Sequence, residues 1–325
     1  MTGQRKLCFV VLLAAALVSW GCSQGEKAPA GTASSGAEAV KPFLGRWDLT
    51  IQTPKGERPS WIEISEKEGH AEILMVGFGG HAVPTDKVQI QDGTIDFTPP
   101  PVGYSEGAQF QGKLTDGQLA GTITNPKGEN WQWTGQRAPA LERTGVPEWG
   151  KPIRLFNGKN LDGWKLRDPS PAAVWSVKHG AMVKTATSSD IISTSKFEDF
   201  KLHVEFKCDG SCNSGVYLRG RYEVQIAEPA GELPPNRSLG AVYGFITPNP
   251  AATPKLGKWQ SYDITLVGRT LTVVLDGQTI IDHQEIPGIT GGALDSNEGE
   301  PGPIYFQGGE HGQVAFRNIV ITPAK

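Results

Sequence analysis

The sequence predicts an all-β chain in two domains, and three observations carry that prediction. Gly (41) and Pro (24) make up one fifth of the 325 residues, against a usual ~12%. Hydrophobic residues are 38% and charged residues 20%, enough for a core but lean for long amphipathic helices. Short runs of alternating polarity recur between turn clusters, the pattern of half-buried strands. The length of 325 residues exceeds the ~250–300 at which a single core stops growing. A formal net charge of −3 lacks the basic footprint of a nucleic-acid binder, so no nucleic-acid partner is expected.

Residues 1–22 read as an address rather than as fold. Arg5 and Lys6 precede twelve apolar residues, Leu7 to Val18. That run is too short for a bilayer core, which needs ~20 residues, but suits a signal peptide. It meets Ser19-Trp20-Gly21-Cys22, which resembles the bacterial lipobox, with bulky Trp20 where a small residue is usual. The resemblance implies acylation of the Cys22 sulfur; an ordinary secretory signal with an incidental Cys is the alternative. Residues 23–42, rich in Gly, Ala, Ser, Pro and Glu, then read as a flexible tether. The expected setting is a bacterial membrane, on the periplasmic or cell-surface side, touched only through the lipid.

Residues 43–138 read as a small β-barrel-like meander of about seven or eight short strands. Trp47 to Gln52 and Trp61 to Ser65 alternate, and Ala71 to Val76 is apolar enough to be buried. Gln109 to Leu114, Gln118 to Thr124 and Trp131 to Gln136 follow, with Asp92-Gly93 and Asp116-Gly117 as hairpin turns. Gly45-Arg46-Trp47 loosely resembles the small lipocalin-like barrels. His70 and His81 stand apart and read as surface or turn residues, so this domain is assigned no chemistry. Residues 139–152, with Pro139, Pro147 and Pro152 and no periodicity, read as a linker.

Residues 153–325 carry the motifs. Leu155-Phe156-Asn157-Gly158-Lys159-Asn160-Leu161-Asp162-Gly163-Trp164 opens the series. Asn213-Ser214-Gly215-Val216-Tyr217-Leu218-Arg219-Gly220-Arg221-Tyr222-Glu223-Val224-Gln225-Ile226 follows, then Gly240-Ala241-Val242-Tyr243-Gly244 and Gly257-Lys258-Trp259-Gln260. Tyr305-Phe306-Gln307-Gly308-Gly309-Glu310-His311-Gly312 stands near the end. In this order the blocks resemble the 3-keto-disaccharide hydrolase domain family over residues 153–323 and not over 43–138. The resemblance implies a concanavalin-A-like, laminin-G-like jelly-roll β-sandwich. It also implies action on glycosides whose C3 hydroxyl has been oxidised to a ketone. The family's stretch around the His is Gln-Gly-Asp-His-Gly, so this chain has one extra residue and Glu310 for Asp.

Period two along Val216 to Ile226 separates an apolar face from one carrying Tyr217, Arg219, Arg221, Glu223 and Gln225. A three-residue hairpin at Arg219 to Arg221 preserves that parity. Tyr, Arg, Glu and Gln suit the hydroxyls and ring face of a sugar better than a plain solvated face, which is the alternative. Gln307 and His311 lie among glycines that allow close backbone approach to a ligand. Asp295-Ser296-Asn297-Glu298-Gly299-Glu300 reads as a solvated acidic turn or a hard-cation loop, and Asp209, Ser211 and Asn213 loosely echo a calcium loop. No metal or cofactor is predicted from either, although a divalent metal remains compatible. Cys208 and Cys212 read as a disulfide across a tight turn.

A ketone at C3 acidifies the C2 proton, so cleavage by elimination needs a base, an enolate stabiliser and an acid for the leaving oxygen. His311 or Glu223 is the expected base or acid, with Arg219 and Gln225 holding the oxyanion. Tyr217, Arg221, Gln225, Tyr243 and Gln307 are expected to bind substrate, and Tyr243 or Trp259 to stack on the sugar. The competing readings are a non-catalytic lectin-like module and a structural adhesion protein. The anchor is tested by labelling: palmitate incorporated by the native chain is expected to vanish in Cys22→Ser, and persistence there overturns lipidation.

Overall fold

The computed structural model describes residues 34–99, 101, 104, 106–169, 175–184, 188–210, 212–227, 233–308 and 312–325. The signal peptide with Cys22, the first part of the tether, Ser211, Glu310 and His311 lie outside the described residues. The end of the supposed tether is structured, which corrects that expectation: α1 (Ser34–Val40) runs into a 3-10 turn, Lys41–Phe43. Val40 and Phe43 supply the reason, since both are buried. Phe43 joins the barrel core, and its carbonyl accepts from Trp47 Nε1 at 2.8 Å.

The N-terminal strands are β1 (Gly45–Thr53), β2 (Gly56–Lys67), β3 (His70–Val76), β4 (Ala82–Pro84), β5 (Asp86–Gln91), β6 (Thr94–Thr98), β7 (Gln109–Thr115), β8 (Gln118–Thr124) and β9 (Asn130–Arg137). They form one sheet in the order β4-β3-β2-β1-β9-β8-β7-β6-β5. Its two end strands are joined by a single residue, Thr85, whose N donates to Ile73 O at 2.9 Å. Alternation fills the inside, with Trp47, Leu49 and Ile51 of β1 against Ile62, Ile64, Phe97, Phe110 and Trp133. The apolar pattern misses β5 because that strand fully buries none of its residues. Gly112 and Gly121 pair across β7 and β8. The ring of Trp133 occupies the space over Gly112, and a Cβ on Gly121 would lie 2.6 Å from Gly112 Cα.

The second half contains β10 (Ile153–Arg154), β11 (Trp164–Leu166), β12 (Trp175–Lys178), β13 (Ala181–Lys184), β14 (Ile191–Phe197), β15 (Phe200–Asp209), β16 (Asn213–Leu218) and β17 (Tyr222–Ala227). It ends with β18 (Gln260–Val267), β19 (Thr270–Leu275), β20 (Gln278–Glu285), β21 (Gly302–Phe306) and β22 (Gln313–Pro323). One sheet runs β12-β13-β22-β15-β18-β19-β20, with β10 beside β22; the other runs β11-β14-β21-β16-β17. Val216, Leu218, Tyr222, Val224, Ile304 and Phe306 of the five-stranded sheet pack on Leu202, Val204, Phe206, Tyr262 and Ile264 of the larger one. Cys208 and Cys212 are disulfide-bonded between β15 and β16.

Barrel and sandwich share buried surface. Trp61 and Val76 of the barrel belong to the sandwich core, Trp61 meeting Phe245 edge-on at 5.4 Å between ring centres. Thr50 Oγ1 lies 2.7 Å from Ser296 Oγ, and Arg46 donates to Glu285. Overpacking a filled core costs ~1–3 kcal/mol, so Gly121→Ala is expected to destabilise the barrel by about that much, read as a lowered urea midpoint.

Candidate active site

Register assembles the site on the outer face of the five-stranded sheet. Tyr305 of β21 pairs with Tyr217 of β16, and Tyr217 with Glu223 of β17. One step along, Gln307 N donates to Gly215 O at 3.0 Å, and Gly215 pairs with Gln225. Beyond β17, a bridge between Val224 and Val242 and a bond from Tyr243 N to Glu223 O set Tyr243 beside Glu223. Two rows therefore cross the face: Tyr305, Tyr217, Glu223, Tyr243, and Gln307, Gly215, Gln225, Ala241. Because side chains alternate, Val216, Tyr222, Val224 and Ile226 point into the core while these groups point away from it.

Gly215 is the gap in the second row, and the Glu223 carboxyl fills it. A Cβ at position 215 would collide with Glu223 Oε1. Glu223 is only 2% exposed, and the other oxygen of its carboxyl, Oε2, lies 2.8 Å from the Tyr217 hydroxyl. The same hydroxyl lies 2.6 Å from the Gly291 carbonyl. A phenol has one proton to donate, and a carbonyl can only accept. When Tyr217 donates to Gly291, the carboxyl must be neutral and donate its own Oε2 proton to Tyr217. Burial pushes the Glu223 carboxyl up to about 8; the Tyr217 hydrogen bond pulls it down and the charge of Asp190 pushes it further up.

Three buried oxygens in this patch have no partner among the described residues: Glu223 Oε1, Gln225 Oε1 and Gln307 Oε1. Buried polar atoms are ordinarily satisfied, so a cluster of orphans marks where a ligand or water belongs. Asp190 and Arg167 line the side next to β21. Gly308 N donates to Asp190 Oδ1 at 2.9 Å. Arg167 pairs with Asp190 Oδ2 at 3.2 Å and donates to the carbonyls of Gly292 and Ala293. Lys184 Nζ donates to Asn213 O and Gly308 O at 2.6 and 2.7 Å; burial lowers its pKa to about 8, against the opposing pull of Asp190. Among the described residues no three His, Cys, Asp or Glu side chains gather as a metal site requires.

The sequence pattern of the 3-keto-alpha-glucoside-1,2-lyase-like domain matches residues 151–322. The chain belongs to this family. No curated protein matches the chain in sequence. Similar solved structures include two "putative glycosyl hydrolase" crystal structures from Parabacteroides distasonis ATCC 8503. One is 28% identical, covering 55% of this chain and 92% of that one at a TM-score of 0.46. The other is 27% identical, covering 53% and 98% at 0.42. The carbohydrate binding module CBM66 from Bacillus subtilis is 13% identical over 48% of this chain and 93% of that one, at 0.33.

Within the lyase-like domain, Glu223, Tyr217, Gln225, Gln307 and Tyr243 come together as one patch, whereas the two arginines do not. The hairpin turns at Arg219 to Arg221, and in a turn the alternation of faces ends. Arg219 has left-handed backbone, φ 51°, and its guanidinium donates to Gly268 O at 2.5 Å beside the core-facing Tyr222 hydroxyl. It is therefore not placed to hold an oxyanion at Glu223. Arg221 Nε donates to Asp295 Oδ1 at 2.7 Å and Nη1 to Glu300 O at 2.8 Å, so it clamps the acidic loop instead of lining the patch. Trp259 packs on the other sheet against Ala181, Val183 and Ala315, with Arg317 over its ring. Sequence reasoning missed Asp190, Arg167, Lys184 and Tyr305; only Tyr305 stood in a quoted motif, and the others are isolated polar residues that pairing alone brings in.

The Glu223 carboxyl is expected to titrate at about 8 in 13C NMR of labelled protein, the signal assigned by its loss in Glu223→Gln. Tyr217→Phe removes a donor to the carboxylate and moves that midpoint upward. A raised folded pKa gives stability that is complete below about 4.5 and lost as pH rises through about 8. Glu223→Gln is thus expected to gain thermal stability relative to the native chain at pH 9 compared with pH 5.

Proposed function

We propose that the protein cleaves the glycosidic bond of 3-keto-glycosides or 3-keto-disaccharides by elimination, with Glu223 as the acid for the leaving oxygen. The observation that carries this reading is a buried carboxyl poised to be neutral, with its Oε1 unpartnered among two unpartnered amide oxygens. In the proposed reaction a base removes the C2 proton, and the electron pair forms the enolate of the C3 ketone. The enolate then re-forms the ketone with a C1–C2 double bond as the C1–O1 bond breaks, and Glu223 gives its proton to O1. Water added across that double bond yields net hydrolysis.

Tyr217 makes Glu223 a reversible donor. With Tyr217 donating to Oε2, the carboxyl carries its single proton on Oε1. That proton leaves from Oε1 to the leaving oxygen, and the Tyr217 donor stays on Oε2 and stabilises the carboxylate. Gln225 and Gln307 each carry an amide donor for the C3 oxygen and an acceptor for a ring hydroxyl. They take the role expected of Arg219. His311, four residues after Gln307, is the proposed base. Export and anchoring through Cys22 complete the proposal and would put the enzyme where glycosides arrive from outside.

The test is release of the aglycone from a 3-keto-glucoside by the purified chain. Glu223→Gln and His311→Ala are each expected to lose ~10²–10⁴-fold in kcat. As the acid must be protonated, kcat/KM is expected to fall as pH rises through about 8, and Tyr217→Phe to shift that fall to higher pH. Tight sugar binding without turnover, indifferent to both substitutions, would instead establish a lectin-like module.

A further inference from the structure

The barrel, which lies outside the matched residues 151–322, reaches the patch through its loop between β3 and β4. Phe78 O accepts from Gly292 N at 3.0 Å. Gly80 lies so close to Gly291 that a Cβ there would stand 2.7 Å from Gly80 N. Gly291 and Gly292 are the carbonyls that receive the Tyr217 and Tyr305 hydroxyls. His81 follows in the same loop. A Cβ on Gly244 would lie 2.6 Å from His81 Cβ, and His81 Nδ1 lies 3.4 Å from Arg237 Nη1. Arg237 also stands near the Tyr243 hydroxyl, whose pKa burial raises and the Arg237 charge lowers.

Register orders these groups along the face. Ala241 stands beside Gln225 and Tyr243 beside Glu223, and Gly244, with His81 over it, follows in the turn that the Val242–Ile246 bridge closes. Glu223 therefore sits between the amides of Gln225 and Gln307 at one end and the group of His81, Arg237 and Tyr243 at the other. An acid that protonates a glycosidic oxygen must lie between the two moieties which that oxygen joins. We propose that the barrel completes the site: His81, with Arg237 and Tyr243, forms the subsite for the leaving sugar ring.

The chemistry suits a sugar. Arg237 donates and cannot accept, so the Nδ1 of His81 accepts and its Nε2–H is left as a donor. Burial, reinforced by the positive charge of Arg237, keeps His81 below the usual histidine range and so favours this neutral form. Arg237 Nε is buried and has no partner among the described residues, a second donor awaiting an acceptor. Tyr243 is half-buried and offers an aromatic edge or face to the ring. Donors beside an aromatic are what hydroxyl and ring oxygens require.

The subsite rests on the glycoside-cleaving reading, and the experiment separates the two. With the full chain, kcat and KM are measured for methyl 3-keto-α-glucoside and for a 3-keto-α-glucosyl-glucose disaccharide. A lost hydrogen bond to the second ring is worth about tenfold. His81→Ala is therefore expected to lower the preference for the disaccharide about tenfold through KM, and His81→Gln, which keeps an acceptor and a donor, to restore most of it. An unchanged preference in His81→Ala overturns the subsite while leaving cleavage intact. If the native chain turns over neither sugar, calorimetric binding of the same disaccharide to Glu223→Gln with and without His81→Ala decides the matter. A weakening of about tenfold upholds the subsite; equal affinity, or no binding at all, overturns it.

Discussion

One phenolic hydroxyl stands between two oxygens at the centre of the buried polar patch. Tyr217 stands within hydrogen-bond distance of both the Glu223 carboxyl and the Gly291 carbonyl, and it can serve only one as donor at a time. The carboxyl is therefore coupled to the placement of a loop carbonyl some seventy residues away in sequence. Everything nearby keeps that coupling tight. Tyr305 stacks on Tyr217 with ring centres 3.9 Å apart, and its own hydroxyl is committed to Gly292. Gly215 leaves room for the carboxyl and for no side chain of its own.

The loop carbonyls are in turn held by the barrel. Phe78 and Gly80 pack on Gly291 and Gly292, and Trp61 is seated in the sandwich core. A second buried network joins the halves. Asp48 of the barrel is raised to about 9 by burial and by the neighbouring Glu298, with Arg269 and Arg221 opposing. Glu298 itself is paired with Arg269 and accepts from Tyr222. The acidic loop from Asp295 to Glu300, which reads in isolation as a solvated turn, is thus an internal strut. Arg221 holds one side of it and Thr50 of the barrel contacts Ser296 on the other.

Which residues could be read from sequence follows from the range of the forces concerned. Alternation is local, so Tyr217, Glu223 and Gln225 could be assigned to one face before any pairing was known. The same rule failed at Arg219 and Arg221 because a hairpin turn ends the alternation that it presumes. Asp190, Arg167 and Lys184 carry no local signal, since each owes its place to strands paired across long sequence separations. His81 looked like a turn residue because only the packing of one domain on another gives it Arg237 as a neighbour.

The sequence by itself determined the β class, several of its turns, the family of the second half and the shared face of Tyr217, Glu223 and Gln225, because composition, period and motif are all properties of short stretches. The tertiary structure decided which polar groups meet and in what state of charge. Hydrogen-bond partners and desolvation depend on what is brought alongside, and here the barrel and the loop around Gly291 are brought alongside a carboxyl whose surroundings the chain order does not reveal.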